Sequence, residues 1–584
     1  MTFRKFAVIL FCVCGMWAND VLFAQSPPPA ESIHLDRDAI RDNYRVEQEI
    51  QRYRETPAQI MIGSPQPPPS LDDKSDAKIF KLNGVIFDTP PRTISQKELD
   101  AIAQRYMDEE KISLRDLYEM LAEIDRLFDQ RHVIGRAVLP VQDIEDGIVH
   151  VQIIEGRFGT KDLTMKRQPY LFCPHCSKKE LIAVDRLFGE SFIQRQFRFR
   201  PGSVANIKNL EEEILRFNRT YRTQLIAELE PGDDLGRSNL KLTAVVPQPV
   251  SAGYYCDNTG RETSGRIRNG CFVQLQNILG ADGSFFCSYD ATEGTSYFTM
   301  SGDIPVSRFG TSLEMGYDFG TPKTIYGPFV DLDINGMSRR YRPAIRQLLR
   351  NTKEQKTDVS FQVETFNSET CFGDYVNYRE QVTAYTLGFS DVYRTQKSVR
   401  FFSFSWQSGN AGVGSNPEND DFTYNDFYLL QSGLTKVWYP NKRWTFLAKS
   451  SAQWGLSNLP QSRQFQIGGM ATVRGATEGL MTGDSGYFFN LEARRQLINC
   501  RNKVAVEAFS FFDHGGVFNR VYPADAYPSD FLFSLGTGLN INLGRYISST
   551  IGYGQPIFTA ESHREQYREK LRYGNGYFTV RAQF

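Results

Sequence analysis

Histidine is scarce in this 584-residue chain, and so is any imbalance of charge. The six histidines are scattered, so no His-rich metal centre is in prospect. Lys and Arg total 67 against 68 for Asp and Glu, a net charge of -1. That removes the basic field on which nucleic-acid binding depends, and no nucleic-acid partner is expected. Long hydrophobic runs are missing too: beyond residue 24 nothing approaches the ~20 apolar residues of a spanning helix. If this chain enters a membrane it must do so as a barrel, because only helices and closed barrels satisfy every backbone polar group in lipid. The mean hydropathy of -0.41 does not oppose this, since only the lipid-facing half of a barrel strand has to be apolar. There is no phosphate loop, nucleophile elbow or metal-spaced His-Glu pair, so neither an enzyme nor a cofactor or metal is expected.

Arg4 and Lys5 precede an uncharged apolar run at 6–18, followed by Leu22-Phe23-Ala24. This is the pattern of a secretory signal over 1–24, with a membrane anchor as the alternative. Of nine cysteines, Cys12 and Cys14 fall in that leader; Cys173, Cys176, Cys256, Cys271, Cys287, Cys371 and Cys500 lie beyond it. An odd number in an exported chain cannot pair fully within it. Cys173-Pro174-His175-Cys176 has the spacing of a redox or half-zinc motif, but a zinc site needs two further ligands. A local disulfide or two loop thiols is the plainer reading.

What the chain does have is a change of pattern along its length. Residues 33–59 are charged, with sparse Ile40, Tyr44, Ile50 and Tyr53. They read either as a polar helix within 25–60, able to act as a plug, or as a disordered leader. A Pro-rich linker over 61–76 (Pro65, Pro67, Pro68, Pro69) tethers them. A β-α-α-β-β module follows over 77–159. It opens on Ile79-Phe80-Lys81-Leu82; Ser95-Gln96-Lys97-Glu98 is a capping box before Leu99, Ile102, Ala103 and Tyr106. Ser113-Leu114-Arg115-Asp116 opens a second helix, and strands at 136–139 and 148–154 flank Asp146-Gly147. A looser module over 160–248 holds a helix near 210–217, strands at 223–229 and 239–246, and the cysteine pair in a loop insertion.

From 249 to 584 strand follows strand with period two. Leu313, Met315, Tyr317 and Phe319 alternate with Glu314, Gly316 and Asp318; Tyr385, Leu387 and Phe389 alternate with Thr386, Gly388 and Ser390. One apolar face and one small or polar face predict a transmembrane antiparallel β-barrel with a wet lumen. A soluble sandwich or propeller is the alternative. Trp444 and Trp454, ten residues apart with equal parity, suit the two aromatic girdles. The last strand sets Phe578, Val580, Ala582 and Phe584 on one face, the form in which a barrel presents its final strand for insertion.

Two segments stand out within the barrel. Residues 466–479 are glycine-rich, too irregular for a strand, and hold Arg474 among small residues. In the strand near 504–513, Val504, Val506, Ala508 and Phe512 share one parity and Glu507 and Asp513 the other, so Asp513 should face the lumen. Arg474 and Asp513 could pair bidentately and hold the loop inside; from the residues alone a solvated Arg474 is the competing reading.

Further motifs are Leu139-Pro140-Val141-Gln142-Asp143-Ile144, Ile154-Glu155-Gly156-Arg157, Leu229-Glu230-Pro231-Gly232, Gly236-Arg237-Ser238-Asn239-Leu240 and Asp257-Asn258-Thr259-Gly260. With Val473-Arg474-Gly475 and the trio Phe511, Asp513 and Gly515, they make the chain resemble, over nearly all of it, the TpsB transporters of two-partner secretion, the haemolysin secretion/activation proteins. Ala476 departs from the aromatic usual after Val-Arg-Gly. The resemblance implies two periplasmic α+β POTRA domains (77–159 and 160–248), an N-terminal helix able to occupy the pore, and a sixteen-stranded barrel in the outer membrane of a Gram-negative bacterium. It makes Val473, Arg474 and Gly475 the motif of the sixth extracellular loop, and Phe511, Asp513 and Gly515 its inner-wall partner. It implies ATP-free export of a large unfolded exoprotein with an N-terminal secretion domain, such as an adhesin, cytolysin or contact-dependent toxin. That partner would add a strand to a POTRA sheet edge. Other implied partners are outer-membrane lipid and lipopolysaccharide, and the barrel-assembly machinery during biogenesis. A barrel-assembly insertase is the alternative function, and a simple solute porin a third.

Overall fold

The computed structural model describes residues 60–62, 79–144, 146–167, 190–278, 281–414, 422–500, 503–520, 529–544, 546–559 and 574–584. The expected signal, the helix at 33–59 and the Cys173 and Cys176 pair lie outside them. Two α+β modules precede a closed barrel of sixteen strands. Among the described residues no disulfide forms.

In the first module the helices Gln96–Met107 and Leu114–Gln130 pack on a three-stranded sheet. Leu99, Leu117, Met120, Ile124 and Phe128 fill the space beneath them, together with Val149 and Val151 of the strand Ile148–Glu155. Both helix starts are closed reciprocally. Glu98 accepts from Ser95 N at 2.9 Å and Ser95 Oγ at 2.7 Å, and Asp116 accepts from Ser113 N at 2.7 Å. The sheet also contains Gly84–Phe87, parallel to Ile148–Glu155, a four-residue strand too short for alternation to reveal.

The second module begins earlier than expected. Its strand Arg157–Arg167 crosses the boundary placed at 159/160, and a register shift between Phe158 and Lys161 breaks the alternation that would have shown it. The expected end of the plug at 60 and start of the linker at 61 also need correction: Ile60–Ile62 is a strand, parallel to Ala227, Glu228 and Leu229 at the edge of the second module's sheet. The two modules are tied by backbone bonds, Ile134 N to Ala205 O at 3.0 Å and Ala205 N to Gly156 O at 2.8 Å. The second module is seated on the barrel's periplasmic turns. Arg222 Nη2 reaches Asp303 and Ser284 at 2.6 Å each, and Arg222 N and Thr223 N donate to Asp282 at 2.5 and 2.8 Å.

All barrel neighbours are antiparallel. The ring closes where the first strand (Val250–Asp257) meets the sixteenth (Asn575–Gln583) in five residue pairs, Gly253↔Gln583 to Asp257↔Thr579. Two extensions lengthen this short seam. Ala252 and Phe584 exchange backbone bonds of 3.1 and 2.8 Å at one end. At the other, the Asn258 amide donates to Gly576 O and accepts from Phe578 N, each at 2.9 Å, imitating a further backbone rung. Asp257 beside it is buried and accepts from Arg268 Nη2 at 2.7 Å.

Alternation sorts the two faces. Leu313, Met315, Tyr385, Leu387 and Leu535 are exposed on the outside, whereas Asp318, Glu364, Glu492 and Asp513 are buried within. Trp444 and Trp454 both face outward on Trp444–Gly455. Their separation of about 34 Å along the strand, tilted about 40°, spans about 26 Å of height, close to the apolar band of such barrels.

The first module carries a pH signature. The Ser95 backbone N–H, then the Arg131 guanidinium, hold the Glu98 carboxyl down at about 2. The folded state therefore binds fewer protons there than the unfolded chain, and this contribution is present above about 4.5 and lost as pH falls toward about 2. Amide protection over 95–131, taken relative to the intrinsic exchange rate at each pH, should fall through that window in the wild type and show a smaller step in Glu98→Gln.

Candidate functional site

The eleventh strand (Trp444–Gly455) and the twelfth (Ser485–Cys500) are joined by the sixth extracellular loop, which turns back into the lumen. Its neck is a short ladder between Phe465–Ile467 and Met481–Gly483. Gln466 and Ile467, read from sequence as irregular, thus belong to a strand. The tip beyond is held by its own polar atoms: Thr472 Oγ accepts from Gly468 N at 2.9 Å, and Glu478 from Met470 N at 2.8 Å.

At this tip Arg474 meets Asp513 of the thirteenth strand (Val504–Phe518). Asp513 Oδ2 accepts from Arg474 N at 3.0 Å and from Nε at 2.8 Å, while Oδ1 accepts from Nη2 at 2.8 Å. Arg474 Nη1 turns to Glu492 on the twelfth strand, whose other oxygen takes Arg494 Nε at 2.5 Å. The guanidinium lies over the Phe511 ring, 3.7 Å from its centroid. Asp513 is 0% exposed, and the Arg474 side chain 12%. Charges this deep stabilise only when every partner is in place, because desolvation otherwise exceeds the Coulombic gain. Here the fork of the guanidinium is matched bidentately and a second carboxylate takes the remaining edge.

The other motif residues explain how the tip reaches the wall. Val473 is fully buried among Ile467, Leu480, Met481, Val517 and Leu532. Ala476 is a small member of the same cluster. Gly475 has φ +89°, and a Cβ there would lie 2.4 Å from the Gly554 backbone. Its carbonyl accepts from Asn575 Nδ2 at 2.9 Å. Gly515 leaves room for Val473: a Cβ would sit 3.1 Å from its Cγ2. Phe511 packs with Phe509, Tyr577 and Met470.

Six predicted residues are therefore brought together: Val473, Arg474, Gly475, Phe511, Asp513 and Gly515. Phe578, Val580, Ala582 and Phe584 are not. They lie on the opposite face of the closing strand from Tyr577, whose ring is 6.4 Å from Phe511. Sequence reasoning missed Glu492 and Asn490, the latter donating to Thr472 O at 2.5 Å. Both share the inward parity of the twelfth strand with Phe488, against Leu491 exposed outside, so alternation shows the face but not the partner.

Residues 236–541 match the family model described as haemolysin secretion/activation protein ShlB/FhaC/HecB. The chain belongs to this family. Residues 80–156 also match the POTRA domain, ShlB-type. The chain is 22% identical over 572 residues to the outer membrane transporter CdiB of Dickeya dadantii, covering 94% of each. It is 24% identical over 506 residues to the heme/hemopexin transporter HuxB of Haemophilus influenzae, covering 82% of this chain and 84% of that one. Among solved structures, CdiB from Escherichia coli matches with a TM-score of 0.68 at 17% identity, over 96% of this chain and all (100%) of that one. CdiB from Acinetobacter baumannii matches at 0.60 with 15% identity, over the same shares of 96% and 100%. These structural likenesses carry the fold. As a haemolysin secretion/activation protein, the chain is an outer-membrane transporter of two-partner secretion acting with a secreted exoprotein, its POTRA part in the periplasm.

Gly475→Ala tests the geometry of the tip. A side chain in the left-handed region costs about 1–2 kcal/mol before the clash with Gly554 is counted. The barrel should still assemble and shift on heating as the wild type does, while amide exchange over 472–476 quickens.

Proposed function

We propose that the exoprotein crosses the barrel unfolded and without ATP, and that the Arg474 latch holds the sixth loop inside the resting pore. The observation that carries this is the two-sided grip on Arg474, bidentate to Asp513 and bonded to Glu492. A loop merely resting in water would need neither. The first module receives the incoming chain together with the second, read as a second POTRA domain, by strand addition at a sheet edge. Residues 25–59, ahead of the strand Ile60–Ile62, serve as a plug. Folding of the cargo outside biases its movement outward, so the transporter itself performs no catalytic step.

The cargo is a large exoprotein: an adhesin, cytolysin or contact-dependent toxin. Relatives named as a heme/hemopexin transporter and as the hemolysin transporter HpmB of Proteus mirabilis support one fold serving different cargoes. The outward apolar band and girdles suit lipid on one leaflet and lipopolysaccharide on the other, and the face bearing Phe578, Val580, Ala582 and Phe584 suits recognition by the barrel-assembly machinery.

Arg474→Ala should leave a heat-modifiable barrel in the outer membrane and lower export of the partner. Removing one member of a buried pair costs about 3–5 kcal/mol, less in a wet lumen. Normal export by this variant would rule out the latch. Deleting residues 26–76 should turn a quiet channel into a steadily conducting one; unchanged bilayer recordings would rule out the plug.

A further inference from the structure

The tip is not the only place where the sixth loop grips the wall. Its base, well before Arg474, lies along the lumen wall over the strands that lead up to the eleventh: the seventh (Gln355–Phe372), eighth (Tyr375–Arg394), ninth (Ser398–Gly414) and tenth (Thr423–Trp438). Arg463 Nη2 donates to Glu364 Oε1 at 2.7 Å, and Ser462 Oγ donates to Glu380. Glu380 takes a further bond from Tyr378 at 3.0 Å. Arg463, Glu364, Ser462 and Glu380 are all buried or nearly so. Between these polar contacts Leu459 is buried against Phe366, Val382, Ala384, Ala411, Phe427 and Leu429. An apolar patch on the lumen side of a barrel is out of place unless something covers it, and here one loop side chain does. The base is also tied to its own neck, because Asp484 accepts from Leu459 N at 3.1 Å.

We infer that Leu459, Ser462 and Arg463 form a second latch, independent of Arg474, and that clearing the pore for a polypeptide, once the plug is displaced, requires releasing both. The inference rests on the reading of the sixth loop as the element that occupies the resting pore. The two grips share no residue and act on different strands, so either can let go while the other holds. Releasing the tip alone leaves the stem of the loop held to the wall inside the lumen, and releasing the base alone leaves the tip pinned to Asp513. Arg463 is a positioning residue in this scheme, acting on the pore through the loop it holds.

The test uses the full-length protein in lipid, with heat-modifiability confirming that each variant is a folded barrel. Amide exchange is followed separately over 456–466 and 472–476, and openings are recorded in planar bilayers. Arg463→Ala and, independently, Leu459→Ala should speed exchange over 456–466 by about tenfold, equivalent to about 1.4 kcal/mol, with 472–476 unchanged. Arg474→Ala should do the reverse. Arg463→Ala with Arg474→Ala should open the channel more often than the two single effects combined. Exchanging the charges, Arg463→Glu with Glu364→Arg, should restore slow exchange at the base. The second latch is overturned if both base variants leave 456–466 at the wild-type rate, or if any single variant loosens both segments together, which makes the loop one unit. Failure of the pore reading is a separate outcome: Arg474→Ala would then leave conductance and export unchanged, whatever exchange at the base shows.

Discussion

Closure of the ring governs everything else in this molecule. In hydrocarbon no water satisfies a free N–H or C=O, so a sheet that crosses a membrane cannot keep an edge. The first and last strands, more than three hundred residues apart in sequence, have to find each other. Their direct overlap is short, and the chain reinforces it with side-chain chemistry: the Asn258 amide supplies a rung where main-chain pairing ends, and Asp257 and Arg268 hold the adjoining turn. Once the ring is closed, the pleat assigns each residue to lipid or to lumen without further choice.

A closed ring of this size leaves an interior too wide for wall side chains alone to fill. The sixth loop occupies part of it, and the chemistry follows from the surroundings. The outer face meets lipid with aliphatic and aromatic groups; the inner face meets water and a polar loop, so it can carry carboxylates. The loop answers with arginines, which match carboxylates through a planar fork. Glycine at 475 and at 515 brings backbone and wall close enough for that fork to engage. Small residues and charged residues thus work as a pair: the former set the distance, and the latter the attraction.

Much of this is legible in the sequence. Alternation at 313–319 and 385–390 reports a local property, the face of a strand, and local properties survive in sequence. The capping boxes at Ser95 and Ser113 are legible for the same reason. Contacts across the lumen are not. Glu492 and Glu364 look like any inward polar residue until strand order, tilt and stagger set which loop atom lies opposite, and those are properties of the closed ring. Arg474 and Asp513 are legible because each sits within a motif of the family; Arg463 has no such signal. Local irregularity hid other elements: a register shift disguised Arg157–Arg167, and three residues at Ile60–Ile62 are too few to show a period.

The arrangement of charges in the lumen is lopsided in origin. At each grip the cation that crosses the gap arrives on the loop, as Arg474 and Arg463, while the wall beneath supplies carboxylates: Asp513 and Glu492 at one grip, Glu364 and Glu380 at the other. A loop that withdraws carries its positive charges away and leaves those carboxylates facing the passage. The wall keeps only its own cations there, such as Arg494 on Glu492, so these stretches are more acidic with the loop away than with it seated. On the proposed release of the loop, the electrical character that a transiting polypeptide meets along these stretches therefore shifts with the position of a single loop.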